Sequence, residues 1–294
     1  MRVLILFTPI VLALIGTLPA RAAQPTLTVN AEGRSREYTA AALLARPDSV
    51  SLPVPHDTVY GSPMSYRAVP LLALLGDIPQ GRLDTLEALA TDGFAAEIPL
   101  KLIARGASGG AVAWLAVEDP AHPWPRLPHR ATSAGPFYLV WENPPLSGIG
   151  GEQWIFALAS LSLVESPAVR WPQLALPAGH AADVPAQTGR EIYFRLCLPC
   201  HQLNGGGVGV SGPDLGRPMS ATQYLTEAGL RSIIRDPRAV RTWPNQHMRG
   251  FDQTELPEAD LDAVIAYLRA MALESIRATP SRGGFTRSEL PPID

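Results

Sequence analysis

Cysteine is almost missing from this chain: 294 residues contain two, at positions 197 and 200. That excludes a disulfide framework, and the stretch between Ala23 and Val184 offers no thiolate to any metal. Lysine is scarcer still, with Lys101 alone against a background of arginine, a bias of coding composition without functional meaning. Strong charge of either sign is lacking too. A formal net charge of -3 gives no basic field for nucleic acid and no acidic tail. Charged residues at 17% and hydrophobic ones at 46% exclude a disordered chain, because there is enough apolar surface to bury. Beyond Leu18 no apolar run approaches the ~20 residues that cross a bilayer. No internal repeat is visible, and the length exceeds what one small domain needs, so two hydrophobic cores are expected.

The N-terminus does carry a signal. Arg2 precedes an apolar run from Val3 to Leu18, followed by Ala20-Arg21-Ala22, the small-x-small pattern of a signal-peptidase site. The run is short for an uncleaved anchor. Residues 1–22 are therefore expected to be a signal peptide cleaved near Ala22, leaving an exported, periplasmic protein with no membrane span.

Residues 23–166 alternate short strand patterns with turn signals. Strands are expected at Leu27–Asn30, Ser65–Val69, Leu86–Ala90, Phe94–Ile98, Ala111–Val117, Phe137–Val140 and Ser160–Val164, with brief helices near Ala40–Ala45 and Pro70–Leu75. This is a mainly β or α+β pattern. Residues 167–185 are rich in proline and alanine and read as a semi-rigid linker. Residues 186–275 are helical in pattern, with helices expected at about Gly189–Leu196, Thr222–Arg235 and Glu258–Leu273. Residues 276–294, with three prolines and Gly283-Gly284, form an irregular tail.

The two cysteines open Cys197-Leu198-Pro199-Cys200-His201, the CxxCH pattern of covalent haem attachment. Two thiols three positions apart at a helix end reach the two vinyl groups of one haem, and the next imidazole then lies beneath the iron. A zinc knuckle needs four ligands, and no second cysteine pair exists to supply them. A CxxC redox pair belongs near a βαβ pattern, which is missing here. One covalent haem c is expected, with Cys197 and Cys200 as its thioether anchors and His201 as an iron ligand.

Around this motif residues 187–273 resemble the class I cytochrome c family. Gly189, Tyr193 and Phe194 precede the motif as in that family's first helix, whose glycine allows a close crossing with the last helix. Gly209-Val210-Ser211-Gly212-Pro213-Asp214-Leu215 is similar to the loop after the histidine, and the resemblance implies that the Pro213 carbonyl accepts the Nδ1 proton of His201. It also implies a methionine as the sixth ligand. Met248, 48 residues past Cys200, opens Met248-Arg249-Gly250-Phe251, which is similar to the family's MPxF segment, with Arg249 where proline is usual. Met219 and His247 stay open as alternatives, whereas Met271 falls on the last helix and reads as core. Leu256, Leu261, Val264, Ile265 and Leu268 share one face of that helix, with Pro257 in its first turn and Tyr267-Leu268 at the family's aromatic-leucine position. Trp243, Asn245 and Arg241 are candidates for the haem propionates. Arg231, Arg235 and Arg238 read either as a solvated helix face or as a basic rim facing an acidic redox partner.

Further motifs lie upstream. Tyr66-Arg67-Ala68-Val69-Pro70-Leu71, Thr91-Asp92-Gly93-Phe94 with Ile98-Pro99, and Gly135-Pro136-Phe137-Tyr138-Leu139-Val140 occur in an order that resembles the sulfite-oxidase-type molybdopterin-binding fold. That family binds molybdenum through a cysteine thiolate. With none between Ala23 and Val184, no molybdenum cofactor is expected. His56, His122 and His129 remain as polar candidates, the latter two beside Trp124, Arg126 and Arg130; most such histidines are simply surface residues.

Two readings follow. In the preferred one, the chain is an electron carrier for periplasmic redox proteins, with no catalytic residues and with an N-terminal docking or ligand-binding domain. In the other, the N-terminal domain oxidises a small substrate and passes electrons to the haem in the same chain. Methionine ligation argues against peroxidase-type chemistry, which needs an open iron position.

Overall fold

A computed structural model describes residues 24–278 apart from 32, 77–80, 129, 243, 245 and 247, and gives the backbone alone for 273–278. The expected signal peptide and most of the expected tail lie outside these residues. The buried side chains form two clusters, one within residues 27–163 and one within residues 174–271.

The first cluster lies between two sheets. The strands are β1 (Thr26–Ala31), β2 (Arg34–Thr39), β3 (Val50–Val54), β4 (Met64–Pro70), β5 (Thr85–Ala90), β6 (Ala95–Pro99), β7 (Val112–Val117), β8 (Phe137–Glu142) and β9 (Leu158–Val164). One sheet runs β2-β1-β9-β5-β6 and the other β3-β4-β7-β8; β1 and β9 pair in parallel and the other neighbours are antiparallel. Alternation fixes which face is buried: Leu27, Val29 and Ala31 point into the core from β1. Strand β8 is buried along Phe137–Trp141, as its unbroken apolar run requires. Helices α1 (Ala40–Leu44), α2 (Leu71–Leu75) and α3 (Leu100–Ala104) are single turns.

A polar knot lies inside this core. The Asp57 carboxylate, 2% exposed, accepts from the Tyr66 hydroxyl at 2.7 Å, the Tyr138 hydroxyl at 3.3 Å, and the backbone N–H groups of Val59 and Tyr60 at 2.9 and 2.8 Å. Four donors satisfy a group that would otherwise be costly to bury.

The seven expected strands form, within two residues at either end. Two were not expected. Strand β2, Arg-Ser-Arg-Glu-Tyr-Thr, is a polar sheet edge with no buried residue, so it lacks an apolar alternation to read. Strand β3 contains Pro53, which its edge position tolerates because no neighbour needs the missing N–H. Helix α3 also went unread, since five residues are too few to show a period.

The proline-rich stretch expected as a linker contains α4 (Pro167–Arg170) and two short 3-10 turns. It is packed at both ends. Arg170 bridges Glu87 on β5 at 2.6 Å and Glu97 on β6 at 3.1 Å, and Leu174, fully buried, joins the second cluster.

That cluster is helical. Helix α5 (Val184–Leu196) begins five residues before Gly189 because the Asp183 side chain caps the Ala186 N–H and Pro185 suits the first turn. The helix expected near Thr222–Arg235 is split into α6 (Ala221–Tyr224) and α7 (Glu227–Arg235), with Thr226 capping the second at Gly229 N–H. Helix α8 (Pro237–Val240) follows, and α9 (Glu258–Ala278) reaches into the stretch read as tail. Helices α5 and α9 cross closely: a Cβ on Gly189 would stand 1.9 Å from the Ala263 carbonyl oxygen. Among the described residues, no helix is long and apolar enough to cross a membrane.

Candidate functional site

The CxxCH segment continues the end of α5. Cys197 and Leu198 N–H both donate to the Tyr193 carbonyl, and Cys200 and His201 N–H both donate to that of Cys197. This extra turn brings two thiols and one imidazole to a single helix end. Tyr193 secures the turn from within. It is fully buried, packs its ring 5.5 Å from that of Tyr267, and places its hydroxyl 3.2 Å from the His201 carbonyl oxygen and 3.3 Å from that of Gln202.

The loop that follows sets the ring of His201. The His201 Nδ1 lies 2.8 Å from the Pro213 carbonyl oxygen. A carbonyl only accepts, so Nδ1 carries the proton and Nε2 presents its lone pair. Close packing holds the ring there, since a Cβ on Gly212 would stand 2.3 Å from its Cε1. The loop in turn closes on Asp214, whose carboxylate accepts from the backbone N–H groups of Asn204, Gly205, Gly216 and Arg217 at 2.7–3.1 Å. Gly212 N–H donates to the Cys200 carbonyl at 2.8 Å.

Burial dominates the electrostatics. It pushes the Cys197 thiol up to about 12 and the Cys200 thiol up to about 11, with the negative charge of Glu152 adding to both. It holds the His201 imidazole below its usual value, against the opposing pull of the Pro213 carbonyl. The two thiols are not bonded to each other.

Met248 comes from a separate segment that is docked on α7 and is partly buried. Phe251 N–H donates to the Ile234 carbonyl at 3.0 Å, and the Phe251 ring enters the core. The Arg235 guanidinium donates to the carbonyls of Phe251 at 3.0 Å and Leu256 at 2.6 Å. Arg235 also pairs with Glu258, and Arg231 with Glu227, Glu258 and Asp262. These two arginines therefore brace the methionine segment and α9, and neither lies on a merely solvated face. Arg238 is exposed, as is Arg241 just past α8. Met271 is buried in the core, whereas Met219 is 53% exposed. Trp243, Asn245 and His247 lie outside the described residues.

The sheet region abuts this site. Ala95 N–H donates to the Pro199 carbonyl at 2.8 Å and Val210 N–H to the Gly93 carbonyl at 3.1 Å, so the β5–β6 hairpin touches both the CxxCH turn and the loop after it. Glu152 pairs with Arg249 at 2.7 Å. Sequence reasoning named Asp214 and Arg235 without their bracing roles and missed Glu152. The first two have a faint local signal in the Pro213-Asp214 turn and the arginine-rich helix, but Glu152 has none. The upstream histidines are not gathered into the site: His56 is exposed, His122 pairs with Asp119 at 3.0 Å, and His129 lies outside the described residues.

These features suit a haem. Two unpaired thiols and an imidazole with a fixed tautomer share one helix end. The exposed side chains of Val210, Met219, Tyr224 and Val240 all fall between His201 and Met248, which is apolar surface that a porphyrin can cover. Residues 186–272 match the family model of cytochrome c, and the helical region is accordingly a cytochrome c domain. This supports haem-based electron transfer and implies haem c; such domains are typically exported. Comparison with curated proteins gives no match.

Proposed function

We propose that the chain is a periplasmic monohaem c-type cytochrome that passes single electrons between partner proteins, after removal of a signal peptide near Ala22. Cys197 and Cys200 hold the haem through thioethers, and His201 and Met248 ligate its iron. The observation that carries this reading is the 2.8 Å contact from His201 Nδ1 to the Pro213 carbonyl, because it places the proton on Nδ1 and leaves the Nε2 lone pair to bind a metal, in a residue that directly follows two unpaired thiols. When bound, the haem supplies an iron centre that takes up and releases one electron. Pro213 keeps the imidazole from turning and makes Nε2 more basic. The Met248 thioether favours reduced iron relative to a second imidazole. Arg241 has the charge to meet a propionate, and Trp243 and Asn245 have the donors.

The N-terminal region is proposed as a sulfite-oxidase-like domain, residues 23–166, that docks a partner or binds a ligand without turnover. The strand-to-helix steps support it: β4 runs directly into α2 through Pro70, and β6 into α3 through Pro99, at two of the three motifs that carry the resemblance. The test is to unfold the mature holoprotein in acid and extract it with organic solvent. Colour that stays with the polypeptide is expected, and a colourless chain refutes covalent attachment. Metal analysis of the same preparation should give iron at one per chain; stoichiometric molybdenum would instead favour a substrate-oxidising enzyme.

A further inference from the structure

The sheet region reaches the methionine segment through one side chain. Arg249 stands where the resemblance leads one to expect proline, and its guanidinium binds carboxylates from both regions. Its Nε donates to Glu152 Oε1 at 2.8 Å, and its Nη1 and Nη2 donate to Glu255 at 2.5 and 3.0 Å. The same guanidinium lies 4.6 Å over the Phe251 ring. Glu152 is the buried partner, with its side chain 11% exposed, against 33% for Glu255.

Glu152 is also rigidly held. It sits in the 3-10 turn Gly151–Gln153, where the Gln153 side chain accepts from Gly150 N–H at 2.7 Å and the Gln153 carbonyl accepts from the Trp141 indole at 2.7 Å. Trp141 belongs to β8, in the middle of the core. A buried carboxylate on such a base holds its partner's guanidinium, which is itself 43% exposed, because leaving the buried Glu152 charge unpaired is expensive.

We propose that Glu152 is a positioning residue for the methionine that would ligate the iron: through Arg249 it ties the Met248 segment to the sheet region. The sheet region thus takes part in setting the iron's ligation, and its docking on the cytochrome domain is part of the redox site. Arginine replaces proline because stiffness of the segment itself is exchanged for an anchor outside it. The inference rests on Met248 being the iron ligand.

The test uses the full-length ferric holoprotein and two readings: the far-red methionine-to-iron absorption band, and the rate at which added imidazole displaces the methionine. Glu152→Ala and Arg249→Ala should each speed displacement about tenfold, and the double variant should be no faster than either one, as expected of one coupled pair. Arg249→Lys, which keeps the charge but loses the guanidinium fork, should fall between the parent rate and that of Arg249→Ala. If Glu152→Ala yields no holoprotein, Glu152→Gln takes its place; it loses the charge but keeps the shape, and its rate should fall between parent and Arg249→Ala. Parent-like rates in the Glu152 variants, or effects that add in the double variant, overturn the proposal. Met248→Ala separates the two ideas: if the band survives there, Met248 is not the ligand and the inference falls with it, whereas loss of the band there with unchanged Glu152 variants refutes the inference alone.

Discussion

The two regions of this chain hold themselves together differently. The sheet region closes on its own side chains: Phe137, Tyr138, Leu139 and Val140 are completely buried, and the buried Asp57 carboxylate meets four donors. The helical region has a firm hinge where α5 crosses α9, but its other wall is loops closed by single polar side chains, Asp214 and Arg235. It leaves Val210, Met219, Tyr224 and Val240 exposed in the stretch between His201 and Met248. One fold is complete in itself, and the other is built around a group that the polypeptide must acquire. The sheet region is therefore suited to act as a fixed base for a less self-sufficient partner.

Withholding the haem should separate the two regions most strongly. Replacing both Cys197 and Cys200 by alanine should abolish covalent haem on denaturing gels and loosen the helical region. The sheet region should keep native tryptophan fluorescence from Trp114, Trp141 and Trp154; collapse of both would show that the sheets also depend on the cofactor. The next effect is the converse one. Asp57→Ala strands two buried hydroxyls and two backbone N–H groups, and should cost the sheet region about 4 kcal/mol in denaturant unfolding while the haem spectrum stays native.

Gly189→Ala tests the helical hinge. Its new methyl would meet the Ala263 carbonyl, so α5 and α9 must separate, at a cost of about 3 kcal/mol seen as a lower melting temperature for the haem-linked transition alone. The smallest effect concerns pH. Burial, with Glu87 nearby, pushes the Glu97 carboxyl up to about 8 from the ordinary 4.5, although Arg170 pulls it down. Between those values the folded chain retains a proton that the unfolded chain has released. Stability should therefore be greatest below that window and fall as pH rises through it. Glu97→Gln should flatten this slope; an unchanged slope would place the titrating group elsewhere.

Much of the fold was legible where the chain's pattern is local. Alternation marked seven strands, and the apolar face of Leu261, Val264, Ile265 and Leu268 marked the last helix. Strands β2 and β3 were not legible, because a polar edge and a proline-bearing edge have no buried face to betray them. At the site, the spacing from Cys197 to His201 and the Pro213 turn could be read in advance, since each is decided within about one loop's length. The structure then supplied what lies behind them: Tyr193 beneath the turn and Asp214 closing the loop.

By itself, then, the sequence determined the CxxCH spacing that implies haem c and the order of a β-rich region followed by helices, because thiol spacing and hydrophobic period are properties of neighbouring residues. Only the tertiary structure decided that Arg249 meets Glu152, that the β5–β6 hairpin rests on the CxxCH turn, and that the proline-rich connection is packed through Arg170 and Leu174. The physical reason is that pairing between charges distant in sequence depends on how two separately formed cores come to rest against each other, and no local pattern records that.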